Sequence, residues 1–277
     1  MYQNNMSNTF FSHNGQILPV SEATIPLSSI EYSYGYGVYE TIRAVGETLR
    51  FLDQHCARLM ESAAIIGLEH RFTEDFVAKS AEALVARNQL AACNVKIMLI
   101  GGDTAEDAQL YVQCLSPFFP DRKLYRVGAH AITVKYERLY PHAKSLNMLP
   151  SYLAYRKAKS IGAYDALLVS RSNNITEGTR TNFYTLQGNT IISPPESQIL
   201  LGVTRHNVLQ VARSNGFEII EQDIPLTTVG RYDAAFITST STGIMPLHSI
   251  DAITWDDGVA PALKGLMIAY NTFQKET

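Results

Sequence analysis

Two residues of opposite charge carry the strongest chemical signal in the chain. Lys144 stands in His142-Ala143-Lys144-Ser145-Leu146-Asn147, at the end of a strand-like run and just ahead of a helical one, among small and apolar neighbours. Glu177 stands in Ile175-Thr176-Glu177-Gly178-Thr179-Arg180-Thr181-Asn182, at the tip of an expected hairpin. An amine can condense with an aldehyde, and a carboxylate can keep a ring nitrogen protonated so that the ring accepts electrons. An aldehyde cofactor of the pyridoxal type needs both. Other lysines have ordinary surface settings: Lys79 and Lys157 in helical patterns, Lys123 in a linker, Lys275 near the end. Lys96 is the rival, because it lies inside an apolar run; an edge-strand or snorkelling lysine is its plainer reading.

Three further features suit an anion. Gly202-Val203-Thr204-Arg205 directly precedes a helical pattern. Free amides at such a helix start, the helix dipole and the Thr204 hydroxyl together make a cradle for a phosphate, although a glycine turn with Thr204 as helix cap explains the same residues. Ser239-Thr240-Ser241-Thr242-Gly243 is a second loop of this kind, with the same plainer reading. Arg58 lies near the apolar face of an amphipathic helix, where an arginine snorkels unless an anion is there to clamp.

The elements that must position these groups come in clusters. Phe10 to Val20 reads as a hairpin turning at Asn14-Gly15. Tyr32 to Tyr36 is glycine and tyrosine, a loop suited to close backbone approach, and it leads into a strand through Tyr39 to a turn at Val45-Gly46-Glu47. Phe51 to Gly67 and Thr73 to Asn88 carry helical periodicity, with Thr73 as N-cap of the second. Val95 to Ile100 and Ala108 to Leu115 read as paired strands. Ser116 to Asp121 breaks every pattern and marks a domain boundary. Beyond it, strands at Gly128–Val134, Ala166–Ser170, Phe183–Leu186, Ile191–Ile192, Phe217–Glu221 and Ala234–Thr238 alternate with helices at Met148–Ile161 and Thr204–Asn215. Trp255 to Glu276 closes with polar turns and a helix. The strands lack simple βαβ alternation, so the expected class is α+β. The expected division is a small N-terminal α+β domain over 1–117, a linker over 118–125 and a larger domain over 126–277.

Composition narrows the function. The 277 residues carry a net charge of −3 with 18% charged and 46% hydrophobic residues. That balance suits a packed protein and gives no reason to expect nucleic acid or an anionic membrane as partner. Cys56, Cys93 and Cys114 are scattered and odd in number, without metal-ligand spacing, which suits buried thiols of a reducing compartment. The polar, Asn-rich first nine residues carry no leader pattern and no run approaches the length of a membrane span, so a cytoplasmic location is expected.

Taken in order, several stretches resemble one family. They are Tyr34-Gly35-Tyr36-Gly37-Val38-Tyr39-Glu40, Phe51 to Leu59 around Arg58, Lys144-Ser145-Leu146-Asn147, Thr176-Glu177-Gly178 with Asn182-Phe183, Leu200-Leu201-Gly202-Val203-Thr204-Arg205, and Phe236 to Thr240. The chain resembles the class IV (fold-type IV) pyridoxal-phosphate enzymes, which include branched-chain and D-amino-acid aminotransferases and aminodeoxychorismate lyase. The resemblance runs from about Asn14 to Ile250. It implies a larger domain built round a β-barrel, pyridoxal 5′-phosphate as cofactor, amino-acid and 2-oxo-acid substrates, and a homodimer with shared active sites. It implies that Lys144 is the catalytic lysine that binds the cofactor, with Glu177 on the ring nitrogen. Arg58, Val203, Thr204, Ser239 and Thr240 would hold the phosphate, and Leu200 would support the ring face. Tyr39 and Ser241 would face the substrate.

Two departures bear on that substrate. Met148 stands where branched-chain members carry a tyrosine, and Val95-Lys96-Ile97-Met98 replaces their Tyr-Ile-Arg-like stretch. Tyr39, with Lys-Ser-Leu-Asn and Thr-Glu-Gly, looks more like the D-amino-acid enzymes. Those enzymes bind the substrate carboxylate with an Arg-x-His pair, however, and Gly101-Gly102-Asp103 stands in its place here. Arg180 is the first candidate to supply the positive group and Arg43 the second; a structural ion pair is the plainer reading for each. D-amino-acid transamination is placed slightly ahead of branched-chain transamination. A lyase that eliminates pyruvate, or a protein that only binds, would be the other classes.

Overall fold

Asn14 and Gly15 both adopt positive φ, 49° and 84°, as a two-residue hairpin turn of primed type requires. They join β1 (Phe10–His13) to β2 (Gln16–Pro19). The computed structural model describes residues 9–117, 119–255 and 258–276. The polar stretch 1–8, Phe118 of the boundary segment, and Asp256 and Asp257 of the expected polar turns lie outside them. The chain divides into two units: residues 1–118 with 143–148, and residues 119–142 with 149–277.

In the first unit a short helix, α1 (Ile30–Tyr34), occupies part of the expected Gly/Tyr loop and ends at Gly35 with φ 71°. Then come β3 (Gly37–Val45), β4 (Thr48–Leu49), α2 (Leu52–Ile65), α3 (Glu74–Asn88), β5 (Ala92–Ile100) and β6 (Gln109–Leu115). Thr73 caps α3, its hydroxyl accepting the Phe76 amide at 3.2 Å. The strands form one antiparallel sheet in the order β2-β1-β6-β5-β3-β4. Strand alternation sorts β3 into two faces. Val38, Ile42 and Ala44 join Leu59 and Ala63 of α2 and Val77, Ala81 and Leu84 of α3 in the core. Tyr39, Thr41 and Arg43 point to the other face and are half-buried.

The second unit begins with α4 (Leu124–Val127) and β7 (Ala129–Lys135), followed by α5 (Leu149–Ser160) and β8 (Asp165–Val169). It continues through β9 (Ile175–Gly178), β10 (Asn182–Gln187), β11 (Thr190–Ser193), α6 (Val203–Ser214), β12 (Glu218–Glu221), β13 (Ala234–Ser239), β14 (Gly243–Ile250), β15 (Ile253–Thr254) and α7 (Pro261–Glu276). Six strands in the order β10-β13-β14-β7-β8-β9 close on themselves, because β9 pairs back to β10 through Glu177 and Asn182. Closure leaves these six strands no free edge. Their inward residues, among them Leu167, Ile175, Phe183, Ile237 and Met245, form an apolar core. Glu177 lies in β9, one residue short of its end, and pairs with Asn182 across the turn into β10, as the hairpin expectation has it. The strand β14, for which the sequence pattern set no expectation, carries Pro246, and a proline lacks the ladder donor. It nonetheless faces Phe236 across the pair with β13, and a bulge between Leu247 and Ser249 adjusts the pairing with β7.

Candidate active site

Lys144 lies in the segment 143–148 of the first unit, although the chain on both sides of that segment belongs to the second. The Tyr39 amide donates to Lys144 O at 2.9 Å and the Leu146 amide to Gly37 O at 2.8 Å. The Lys144 amide donates to Ser62 Oγ at 3.1 Å. These bonds lay the segment along the start of β3 as a single bridge between Val38 and Ser145. The glycines of the Tyr/Gly motif make this approach possible. A Cβ on Gly37 would come within 2.7 Å of both Leu146 Cδ1 and Leu99 O, and Gly35, at positive φ, faces Leu146 O in the same way. So held, Lys144 Nζ stands 4.6 Å from the centroid of the Tyr39 ring, and the Tyr39 hydroxyl donates to Met148 Sδ at 3.5 Å.

Behind β3, facing the core, is a charged cluster the sequence did not announce. Glu40 is fully buried and accepts from Arg58 Nε on Oε1 at 2.7 Å and from Nη2 on Oε2 at 2.8 Å, while His55 Nδ1 lies 2.8 Å from the same Oε2. Burial alone would raise the Glu40 carboxyl, but Arg58 and then His55 outweigh it and hold it well below the usual carboxylate range. Burial pushes His55 down despite Glu40, so its imidazole is neutral beside the Arg58–Glu40 pair. Arg58 is therefore no snorkelling arginine. Its bidentate partner within this unit is Glu40, which fixes the plane of the guanidinium.

In the second unit the Thr-Glu-Gly and Leu-Leu-Gly-Val-Thr stretches are locked together. Glu177, 2% exposed, accepts from Arg138 Nε at 2.6 Å and from the Leu200 amide at 3.3 Å, and Arg138 Nη2 also donates to Thr179 O at 3.1 Å. Asn182 Nδ2 donates to Leu200 O at 2.7 Å. Buried Asp165 anchors the turn after β9, accepting from Thr179 Oγ1 at 2.5 Å and Thr181 Oγ1 at 2.9 Å. Only a glycine fits at 178, where a Cβ would fall 2.6 Å from Asp165 Oδ2 and closer still to Thr181. The arginine gives the buried Glu177 carboxylate a charged partner at 2.6 Å.

The helix α6 starts at Gly202, whose residue type provides no side-chain cap, and its first turn holds no acid. Thr204 is thus inside the helix and is not the cap that the plainer reading of this stretch supposed. Its hydroxyl lies 3.5 Å from that of Thr240 in the turn between β13 and β14, and Ser239 Oγ lies 2.8 Å from Thr242 Oγ1. A helix start without a side-chain cap, the helix dipole and neighbouring hydroxyls are groups that suit an anion.

A family model described as amino-transferase class IV matches residues 37–250. The chain belongs to the class IV aminotransferases. It is 33% identical over 275 residues to D-alanine aminotransferase of Bacillus licheniformis, covering 95% of this chain and 97% of that one. It is 29% identical over 250 residues to a putative branched-chain-amino-acid aminotransferase of Methanocaldococcus jannaschii, covering 86% of each. The fold matches the solved branched-chain amino acid aminotransferase of Thermobaculum terrenum in its PLP form (TM-score 0.85, 24% identity, 96% and 94% of the two chains). It also matches the branched-chain enzyme of Escherichia coli (TM-score 0.85, 22% identity, 95% and 93%). The protein is a pyridoxal-phosphate-dependent transaminase acting on amino acids and 2-oxo acids.

Within this class IV aminotransferase the first unit brings together Lys144, Tyr39 and Met148, and the second Glu177, Leu200, Val203, Thr204, Ser239 and Thr240. Arg180 is exposed, its guanidinium 3.9 Å from the centroid of the Tyr155 ring on α5. Arg43 donates to Asn94 Oδ1 at 3.4 Å, and Ser241 is half-buried in the β13–β14 turn. Arg138, Glu40 and His55 escaped the sequence reading. The one local sign of Arg138 is an arginine closely following the end of β7.

Proposed function

We propose that the enzyme moves amino groups between D-amino acids and 2-oxo acids. The observation that carries this reading is Tyr39 beneath Lys144 with its hydroxyl on Met148. The thioether replaces the tyrosine expected of a branched-chain enzyme, and the phenol comes from β3 instead. Likeness to the Bacillus licheniformis D-alanine enzyme along nearly the whole chain supports it.

The residues fit pyridoxal phosphate. Among the described residues no carboxylate pairs with Lys144, and the Thr204 hydroxyl lies 3.5 Å from that of Thr240. When bound, the cofactor supplies an aldehyde carbon and a conjugated ring that withdraws electrons from the substrate α-carbon. Lys144 would be its attachment point and, once released, the base that takes the α-proton on Nζ. Glu177, aimed by Arg138 and the Leu200 amide, would hold the proton on the ring nitrogen. The first amides of α6 with Thr204 and Thr240 would hold the phosphate, Ser239 would brace that turn, and Arg58 would add its charge. Leu200 would pack against the ring.

A homodimer in the cytoplasm completes the proposal. Leu27, Ile30, Tyr32 and Tyr34 are exposed on one stretch around α1, a large apolar surface that a second copy would cover. The three cysteines are free and buried, as in a reducing compartment.

The deciding experiment adds D-alanine, D-glutamate, L-leucine and L-glutamate separately to the holoenzyme and follows the absorbance of the lysine-bound cofactor. Bleaching by the D-isomers alone is expected. Bleaching by L-leucine and L-glutamate alone would replace the proposal with a branched-chain enzyme. Silence toward all four, with pyruvate released from an aminated chorismate derivative, would make it a lyase.

A further inference from the structure

Ser62 is fully buried on α2, and no motif of the sequence points to it. It shares its helix face with His55, Arg58 and Leu59, which recur at three- and four-residue spacing. Leu59 belongs to the apolar core, and His55 and Arg58 belong to the Glu40 cluster. A serine inside a helix can satisfy itself on the preceding turn and serve nothing further. The Ser62 hydroxyl instead receives the Lys144 amide at 3.1 Å, from a segment 82 residues further along the chain.

Both main-chain groups of Lys144 are thereby engaged, on two different elements. Its carbonyl accepts the Tyr39 amide of β3 at 2.9 Å, and its amide goes to α2. The Tyr39 bond and that of the Leu146 amide to Gly37 O are the two bonds of one isolated bridge. A single bridge defines a hinge, about which the segment could still turn; a third bond from outside the sheet removes that rotation. The two supports are themselves fastened beside it. Glu40, the residue after Tyr39, takes Arg58, which lies one helical turn before Ser62. Bonds therefore run from β3 to Lys144, on to α2 and back to β3, and the Lys144 peptide cannot swing unless the Ser62 bond breaks or α2 moves with it. We propose that Ser62 is a positioning residue, which fixes the Lys144 peptide against α2 and so sets the direction in which the amine is presented. This rests on the role proposed for Lys144 and goes beyond it, since Ser62 acts through the lysine's main chain. A displacement of a reacting group by about 1 Å can cost about 10²-fold in rate, so the effect belongs to kcat.

The test compares Ser62→Ala, which removes the acceptor, with Ser62→Cys, which keeps a side chain of similar size that accepts weakly, and Ser62→Thr, which restores a hydroxyl. Amide hydrogen exchange over residues 143–148 is followed in the full chain with and without pyridoxal phosphate. The holoenzyme's kcat and Michaelis constant are measured with the amino acid that it converts fastest. Ser62→Ala and Ser62→Cys should speed exchange at the Lys144 amide about 5- to 100-fold. Both should lower kcat about 10- to 100-fold and change the Michaelis constant less than about threefold, and Ser62→Thr should recover most of the loss. Should the threonine be too bulky for the buried position, the first two variants decide: equal losses support the proposal, and a loss in alanine alone overturns it as a cavity effect. Unchanged exchange at Lys144 in Ser62→Ala overturns it, and so does faster exchange spread evenly over α2 and β3 with kcat unchanged. Lys144→Ala, run alongside, separates the two readings. If that variant still forms the lysine-bound absorbance, the role proposed for Lys144 falls and takes this proposal with it. If it is colourless while Ser62→Ala turns over normally, this proposal alone falls.

Discussion

At the scale of single residues, the chemistry concentrates on side chains whose partners hold them in one orientation. On the role proposed for Lys144, its replacement with alanine removes both the attachment point and the base, so turnover should fall by more than about 10³-fold and the lysine-bound absorbance should vanish. A variant that keeps both would mean another amine does the work. Arg138→Met leaves the buried Glu177 with only the Leu200 amide among the contacts described above. It should cost about 3 kcal/mol of stability in urea unfolding and weaken cofactor binding in parallel. The Glu40–His55 cluster predicts an acid-side loss of stability in two stages. His55 is held below its ordinary value of 6.5, so as pH falls through about 6.5 the unfolded chain gains a proton that the folded one refuses, and stability drops. Glu40 is held well below the carboxylate range by Arg58. Its contribution is complete above about pH 4.5 and fades only in stronger acid. His55→Gln should flatten the first stage and Glu40→Gln the second, read from urea midpoints across pH. Lys144 and Glu177 stood out as candidates because each lies in a recognisable short stretch. Arg138, Glu40 and His55 did not, because each acts through a partner far off in sequence or across an element.

At the scale of elements, local rules read well. The Asn14-Gly15 turn, the Thr73 cap and the alternation of β3 each follow from a few neighbouring residues. What failed was nonlocal. The strand β9 is four residues long and owes its conformation to partners on both sides, β8 and β10. No strand was expected over β14, a central barrel strand whose pairing with β13 and β7 is nonlocal. The glycine at 178 gives a direct probe of this layer. Gly178→Ala forces a methyl against Thr181 and Asp165 and should cost about 1–3 kcal/mol in the thermal or urea transition. Because the clash displaces β9, kcat should fall as well. An alanine variant as stable and active as the wild type would show that the turn after β9 yields easily.

For the whole molecule, the expected α+β class with a barrel in the larger part matches the structure and its solved relatives, and no helix among the described residues is long and apolar enough to cross a membrane. The exposed apolar stretch around α1 predicts assembly. Sedimentation should give twice the chain mass, and Ile30→Glu, which charges that surface, should shift the population toward the monomer. A monomeric wild type would leave that stretch without a partner. The way the chain is threaded could not be read from sequence periodicity, because residues 143–148 return to a sheet whose own strands end at Leu115. That return has a consequence for biosynthesis. All six strands of the sheet leave the ribosome before Lys144 does, so on a growing chain the sheet can form before the segment that bridges to it is made. Residues 143–148 are the last part of the first unit to be delivered, and no nascent chain carries that unit complete before they emerge.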